Sequence, residues 1–482
     1  MVPMKKSVLT LAALALLAGC SLAPVYERPA APVASAWPDG DAYKAVPAAG
    51  DAKPASEIHW REYFVDARLR QVIELALANN RDLRVSVLNI EKARAQYNIS
   101  SAPLLPNVSA SVSQSAARVP NSITGTGEAL INRQYNGGLV LSSYEFDFFG
   151  KLRSASEAGL QIYLATEEAR RTQQISLVAE VANAWLTLTA DLQRLQLARD
   201  TLKSQQITYD LSQKRFGSGA TSAVDMYDAQ TSVEAARNDV ATYTAQVAQD
   251  QNALTLLIGG PVPETLLPTG EPGEVARLAV LPTGLPSDLL RHRPDVQQAE
   301  RALRAANANI GVARAAFFPS ISLTASGGSA SRDLSGLFKA GSGAWTFAPQ
   351  INLPIFDGGV NRANLSIAKA DRDISVAQYE KAIQVAFREV ADALATRGTI
   401  DERLNAQQAL VDATASSFKI NDARYRKGAD TYLNALVSQR ALYAAQQGLI
   451  STRLSQSSNA VALYKVLGGG WQPEIGSPQG ET

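Results

Sequence analysis

Most of this chain consists of one sequence pattern written twice in tandem. Residues 180–184, Glu-Val-Ala-Asn-Ala, recur at 389–393 as Glu-Val-Ala-Asp-Ala, an offset of 209 residues. The offset stays constant over the stretch from about 150 to 260, whereas an earlier match of Asp82 with Asp295 has an offset of 213. A duplication of this size makes the two halves structurally equivalent, and the constant offset indicates long elements without insertions.

The N-terminus carries an export signal. Lys5 and Lys6 precede an apolar run, Val8–Ala18, that is too short to span a bilayer. The run ends in Leu-Ala-Gly-Cys, which matches the lipobox of bacterial lipoproteins, and Cys20 is the only cysteine of the chain. We therefore predict a signal peptide over residues 1–19 and a covalent lipid on Cys20. The alternative is an ordinary secretory signal. Because Ser21 follows instead of the aspartate that retains lipoproteins at the inner membrane, we predict an anchor in the outer membrane of a Gram-negative bacterium.

The composition argues against several classes of function. Lys and Arg number 46 against 45 Asp and Glu, so the net charge of +1 gives no electrostatic case for nucleic acid. The chain has two histidines, and it contains neither a phosphate-binding Gly-x-x-x-x-Gly-Lys loop nor a Gly-x-Ser-x-Gly nucleophile elbow. We predict that the protein is not an enzyme and holds no metal and no cofactor other than the lipid on Cys20.

Each half contains a stretch that predicts a very long helical hairpin. No proline occurs from Asn121 to Gly260 or from Ile355 to Gln472, so nothing forces a break. Apolar residues follow one another at spacings of three and four, as in a coiled-coil seam. In the first half these are Val178, Val181, Trp185, Leu188, Leu192, Leu195 and Leu202, and in the second Phe387, Val390, Leu394, Leu404 and Val411. A helix from about Lys151 to Arg215 would be roughly 100 Å long.

Between the helices lie segments in which apolar and small polar residues alternate. The clearest apolar sets are Trp345, Phe347, Pro349, Ile351, Leu353 and Ile355; Ile321, Leu323 and Ala325; Val108, Ala110 and Val112; and Leu139 with Leu141. This period favours transmembrane β-strands, although a soluble β-sandwich gives the same alternation. One chain supplies four strands, fewer than the smallest barrel, and open edges are not tolerated in lipid. Several copies must then share one barrel, with extracellular loops at 120–133 and 327–343.

Several motifs together resemble the TolC-like outer-membrane efflux proteins, and most closely their lipid-anchored, OprM-like branch. They are the lipobox, Phe146-Asp147 matched by the Phe-Asp-Gly-Gly at 356–359, and the paired Arg-Phe/Tyr-x-x-Gly turns that begin at Arg215 and Arg424. The resemblance implies a mainly α fold with a transmembrane β part: a trimeric twelve-stranded barrel, four strands per chain, continuous with a periplasmic α-helical barrel. It also implies an exit duct for drugs and other toxic compounds, working with a periplasmic membrane-fusion adaptor and an inner-membrane resistance-nodulation-division pump.

The candidate functional residues lie at the two hairpin turns. Gly219 and Gly428 are expected to supply the positive φ that ends a helix, and Thr221 and Asp430, or the residues just after them, to cap the next one. By resemblance the turns dock the adaptor through Arg215, Gly219, Thr221, Arg424, Gly428 and Asp430, and the periplasmic gate comprises Asp225, Asp228, Tyr432, Leu433 and Arg440. The alternatives are plain turn chemistry and solvated surface charges.

One gate position departs from the family pattern. Val437 stands where OprM-like relatives place an aspartate, and its equivalent in the first half is Asp228 (437 − 209 = 228). We hypothesise that Asp225, Asp228 and Arg440 form the electrostatic latch instead.

The predicted organisation has six segments. They are the signal peptide at 1–19, a lipidated extended segment at 20–66, a first repeat at 67–260, a proline-rich connector at 261–286, a second repeat at 287–469 and a tail at 470–482. A structural coiled-coil envelope lipoprotein, or an exit duct for metal ions or for type I protein secretion, remain as alternatives.

Overall fold

The computed structural model describes residues 21–43, 53–123, 128–270 and 293–471. The predicted signal peptide, the lipidation site Cys20, most of the predicted connector and all but two residues of the predicted tail lie outside these ranges.

A short helix precedes the first repeat, which begins with two helices and a strand pair. The helices are α1 (Trp60–Tyr63), α2 (Ala67–Asn79) and α3 (Arg81–Ser101), and the strands are β1 (Val108–Val119) and β2 (Leu130–Phe146). Two long helices follow, α4 (Lys151–Gly217) and α5 (Ala223–Ile258). The predicted long helix from Lys151 to about Arg215 is thus present with nearly the expected bounds.

From α3 onwards the first repeat has the same element order as the described part of the second. The second repeat contains α6 (Pro294–Ala315), β3 (Ser320–Ser331), β4 (Gly343–Asn352), α7 (Val360–Arg426) and α8 (Tyr432–Val466). An aspartate stands just before each 67-residue helix and accepts hydrogen bonds from its first backbone amides: Asp147 from Leu152 and Arg153, and Asp357 from Asn361. These carboxylates satisfy donors that have no partner within the helix and fix where each helix begins.

The four strands form one antiparallel sheet in the order β1-β2-β3-β4, so β2 and β3 join the two repeats. The register between β2 and β3 shifts at residues 141–144, where Ser143 has a φ of 47°. This is a β-bulge: β2 has one more residue than β3 between the paired positions, and the extra residue explains the unusual φ.

The strand ends differ from the sequence-based prediction. β2 begins at Leu130 and β3 extends to Ser331, so both connecting loops are shorter than predicted. The fourth strand ends at Asn352, so Leu353 and Ile355, which continue the apolar alternation, lie beyond it. The strand ends there because Asn352 pairs with Ser320, the first residue of β3, so no partner residue remains for Leu353 and Ile355.

The compact units of the chain are not the two repeats. One unit combines Met1–Ala30, Asn89–Glu167 and Gln298–Glu380, and the other combines Ala31–Leu88, Glu168–Gln297 and Lys381–Thr482. In the second unit Tyr63 of α1, which precedes the first repeat, stacks on Tyr464 of the second repeat, with ring centroids 4.1 Å apart, and Tyr63 Oη donates to the Ala460 carbonyl. This unit is therefore held together by contacts between segments that are far apart in the sequence.

The predicted coiled-coil seam is buried far more in the first repeat than in the second. Val178, Val181, Trp185 and Leu188 are all at most 2% exposed. Of the second set only Val390 is buried, and Phe387 and Leu394 remain half-buried. An 18-residue window of α4 is apolar enough to cross a membrane, but 67% of it is buried inside the protein, as expected of a core helix.

Candidate functional site

The two hairpin turns have the same backbone. Gly219 and Gly428 have φ angles of 71° and 70°. The amide of Gly219 donates to the Phe216 carbonyl (2.9 Å), and the amide of Ala220 to the Arg215 carbonyl (2.8 Å). The second turn repeats both bonds at Gly428 and Ala429, each at 2.9 Å. This is the Schellman motif, which closes a helix through a left-handed residue, so the predicted positive φ at both glycines is present.

The start of the next helix differs between the turns. Ser222 is the N-cap of α5, and its hydroxyl accepts from the Asp225 amide (3.2 Å), while Thr221 Oγ1 donates to Asp225 Oδ2 (2.7 Å). In the second turn Thr431 occupies the N-cap position of α8, but its side chain makes no cap bond. Both N-caps are the residues immediately after Thr221 and Asp430, which was one of the two possibilities the sequence allowed.

Asp430 organises the second turn instead. Its carboxylate accepts from the Thr431 amide (2.8 Å), the Asn434 side-chain amide (2.8 Å) and Arg424 Nε (3.1 Å). These bonds, the one from Asn434 foremost, lower the pKa of the Asp430 carboxyl. Arg424 and Asp430, two predicted docking residues, are thus bonded to each other.

A small core lies behind the second turn. Ala229, Tyr425, Tyr432, Ala435 and Leu436 form a buried cluster against which Tyr209 packs, and the Tyr425 and Tyr432 rings lie 5.3 Å apart. Burial raises the pKa of Tyr432 to about 12. Tyr432, predicted as a gate residue, is therefore part of this core rather than of an exposed surface.

Arg215 connects the first turn to this core. Its guanidinium lies over the Tyr425 ring, 5.0 Å from the centroid, and its Nη2 donates to the Arg426 carbonyl (3.4 Å). The equivalent aromatic residue of the first turn, Phe216, is 43% exposed. Tyr425 is not among the residues predicted from the sequence to form the site. One indication of its role is present in the sequence: Tyr425 stands where the first turn has Phe216. In the structure the Tyr425 hydroxyl lies 3.4 Å from that of the buried Ser212.

Two further predicted gate residues, Leu433 and Arg440, share one exposed face of α8 with Val437. Leu433 and Val437 are 56% and 58% exposed, and Arg440 is also exposed; their spacing of four and three places them on one side of the helix. The equivalent residues of α5 (minus 209) are Val224, Asp228 and Thr231. Within the described residues, Asp225, Asp228 and Arg440 form no ion pair, so no latch closes inside a single chain.

The segment that follows Cys20 is fixed to α6. The Leu22 carbonyl accepts from Arg314 (3.0 Å) and the Pro24 carbonyl from Asn307 (2.8 Å), while Arg28 pairs with Glu300 (2.8 Å). Residue 22 therefore lies beside the end of α6 that precedes β3.

Comparisons with known proteins agree with this geometry. The model of the outer membrane efflux protein family matches residues 72–260 and 285–469. The chain is 50% identical to the toluene efflux pump outer membrane protein TtgC of Pseudomonas putida over 98% of this chain and 97% of the relative. It is 44% identical to the outer membrane protein OprJ of Pseudomonas aeruginosa, over 94% of each.

Solved structures show the same fold. The open state of the MtrE outer membrane channel of Neisseria gonorrhoeae superimposes with a TM-score of 0.84 at 38% identity, covering 94% of this chain and 99% of that one. The predicted fold class of the trimeric outer-membrane channels, the outer-membrane location with a periplasmic helical tunnel and the role as an efflux exit duct are thereby confirmed. With its two repeats matched almost end to end, the chain belongs to the outer membrane efflux protein family.

Proposed function

We propose that this chain forms, as a homotrimer, the exit duct of a tripartite pump for drugs and organic solvents, and that its hairpin turns gate the duct. The observation that carries the proposal is the sheet. Within the described residues β1 and β4 are its unpaired edges, and Trp345, Phe347 and Ile351 expose 78%, 62% and 69% of their surface on β4. Such edges and such a face are stable in a bilayer only when other copies close the barrel.

The gate is the exposed face of α8. Leu433 and Val437 would narrow the duct when three copies bring these faces together, and Arg440 would bond to Asp225 or Asp228 of an adjacent copy. This proposal is supported by the exposure of Leu433, Val437 and Arg440, and by the absence of an ion pair to Asp225, Asp228 or Arg440 among the described residues. An ion pair between exposed groups contributes about 1 kcal/mol or less, so the latch is weak enough for a partner protein to open.

The partners follow from the family. A periplasmic membrane-fusion adaptor would dock on the turns around Gly219 and Gly428, and a resistance-nodulation-division pump would load the duct. The cargo class is supported by the names of relatives, a toluene efflux pump and an antibiotic efflux pump of Pseudomonas putida, each with 50% identity. We propose that a lipid on Cys20 adds an anchor, because Leu22 is held beside the end of α6 next to the sheet.

Mass determination in detergent combined with planar-bilayer conductance tests the duct and the gate separately. We expect about three times the monomer mass and small, mostly closed channels. Arg440→Ala should raise the open probability, whereas Thr231→Ala, at the equivalent position of the first repeat, should not. A monomer or a non-conducting assembly would contradict the duct. Unchanged conductance of Arg440→Ala would contradict the latch alone.

The cargo and the anchor need their own measurements. Loss of the protein from its native cells should lower survival in toluene and raise antibiotic sensitivity without changing metal tolerance. Mass spectrometry of the mature N-terminus should show acyl chains on Cys20, and Cys20→Ser should remove them.

A further inference from the structure

A basic cleft lies on the surface of the first helical hairpin. It has a volume of about 440 Å³ and is lined by Arg199, Leu202, Lys203, Gln206, Ile207 and Arg237. Three cationic side chains from α4 and α5 thus surround a floor that includes the 60%-exposed Ile207.

The positive charge of this cleft is mostly uncompensated. Arg237 pairs with Glu234 (2.8 Å), but Arg199 and Lys203 form no ion pair within the described residues. Because residues four apart on a helix are neighbours, these two cations repel each other. The cleft is therefore complementary to an acidic group.

The second repeat carries the opposite charges at the same positions. Lys203 corresponds to Asp412 and Asp210 to Lys419, since 412 − 203 and 419 − 210 both equal 209. On each helix the two charges are seven residues apart and so share one face. The face of α4 carries Lys203, Ile207 and Asp210. The equivalent face of α7 carries Asp412, Ser416 and Lys419.

The turns place these charges at matching heights. Lys203 precedes Gly219 by sixteen residues and Asp412 precedes Gly428 by sixteen (219 − 203 = 428 − 412 = 16), and both helices run towards their turns. At 1.5 Å per residue, each lies about 24 Å from its turn. A first hairpin beside a second hairpin would therefore bring Lys203 level with Asp412, and Asp210 level with Lys419.

The charges do not pair within one chain. All four residues are exposed, and none forms an ion pair within the part of the chain that the structure describes. Each carboxylate instead accepts a hydrogen bond from the glutamine one turn before it, Gln206 to Asp210 (2.9 Å) and Gln408 to Asp412 (3.0 Å). A second copy of the chain offers the complementary charges.

We propose that the cleft receives the charged face of α7 from an adjacent copy, with Asp412 between Arg199, Lys203 and Arg237, and Lys419 against Asp210. This rests on the proposed homotrimer. Two first hairpins side by side would oppose Lys203 to Lys203, and two second hairpins would oppose Asp412 to Asp412. The charges therefore favour the alternating order of hairpins, which is the order that lets identical copies close a ring.

Charge reversal tests this docking surface in the full-length protein. Lys203→Asp and Asp412→Lys should each raise the trimer dissociation constant in detergent by roughly tenfold or more, because three copies of a weak ion pair act together. The double variant Lys203→Asp/Asp412→Lys should recover part of this loss of affinity, because the new lysine meets the new aspartate but also Arg199 and Arg237. The control for a change of charge is Lys381→Asp, which should have little effect. At 100° per residue, this position lies about 140° around α7 from Asp412.

The outcomes separate this inference from the proposed function. A monomeric unmodified protein would overturn the homotrimer itself. If neither single reversal changes the dissociation constant of an intact trimer, only the docking surface is overturned. The same conclusion follows if the double variant dissociates as readily as the single variants. Helical circular dichroism of each variant identifies any loss of folding, and in that case crosslinking of Lys203→Cys with Asp412→Cys in adjacent copies decides.

Discussion

The two hairpin turns share one backbone and differ in what they bury. Both close with the same Schellman bonds around a glycine of nearly equal φ. Tyr425 of the second turn is 6% exposed beneath Arg215, while its counterpart Phe216 is 43% exposed. The first turn has a side-chain N-cap, and the second has the Asp430 network. Equal sequence motifs thus fix equal backbones, but the local stability of each turn depends on the neighbours that the fold supplies.

Removing the aromatic side chain from each turn should produce the largest difference in stability between the two turns. Tyr425→Ala leaves a cavity in a buried cluster, which costs about 3 kcal/mol or more. Phe216→Ala removes a ring that is 43% exposed and lies outside this cluster, so it should cost less, about 1 kcal/mol. Hydrogen exchange of the turn amides measures both changes, and equal exchange rates in the two variants would contradict the contrast in burial.

Substituting the turn glycines should destabilise both turns by the same amount, because the two backbones are alike. Gly219→Ala and Gly428→Ala each force an L side chain into the left-handed region at a cost of about 1–2 kcal/mol, and no atom lies within 4 Å of the added carbon at either site. Gly217→Ala is the matched control. It also enters open space but has a helical conformation, so it should stabilise the first turn by up to about 1 kcal/mol. The measurement is hydrogen exchange at the last turn of α4 and α7; unequal costs at 219 and 428 would mean that the backbones are not equivalent.

Removing the N-cap hydroxyls should affect only the first turn. Ser222→Ala loses the bond to the Asp225 amide and should destabilise the start of α5 by about 1 kcal/mol. Thr431→Ala removes a side chain that makes no cap bond, so α8 should fray no more than before. Exchange rates of the first amides of each helix distinguish these outcomes, and fraying of both helices would refute the assignment.

Acidification should have the smallest effect, and only on the second turn. Because the pKa of Asp430 is lowered in the folded state, its contribution is present above the pKa of an unfolded aspartate, near 4, and is lost as the pH falls through the lower folded value. A spin label on Lys427→Cys should therefore gain mobility between about pH 5 and pH 2. The same label in an Asp430→Asn variant should show no such transition, and a transition of equal size would contradict the role of Asp430.

The sequence predicted the long helices and the turns well because both depend on local features. Stretches without proline and a seam of apolar residues allow little other than helix, and a glycine after Arg-Phe or Arg-Tyr ends it. The strand ends were predicted less well, because the apolar alternation continues through Leu353 and Ile355 although the pairing with β3 ends at Asn352. The bulge at Ser143 could not be read from the alternation, since it depends on how β2 pairs with β3.

The candidate site was only partly predictable for the same reason. The sequence placed Arg215, Gly219, Arg424, Gly428 and Asp430 at the turns, where the structure has them. It could not indicate that Arg215 lies over Tyr425, because that contact joins residues more than two hundred positions apart. It also could not separate buried Tyr432 from exposed Leu433, because both lie in one apolar run and burial depends on the neighbouring helices.

By itself the sequence determined the duplication, the helix lengths and the positions of the turns, since each follows from repeated motifs and from the conformational limits of proline and glycine. The tertiary structure decided which of two equivalent residues is buried, how the two repeats combine into compact units, and which charges form no ion pair among the described residues. These properties depend on contacts between distant segments, so two copies of one pattern can have the same backbone and different surroundings.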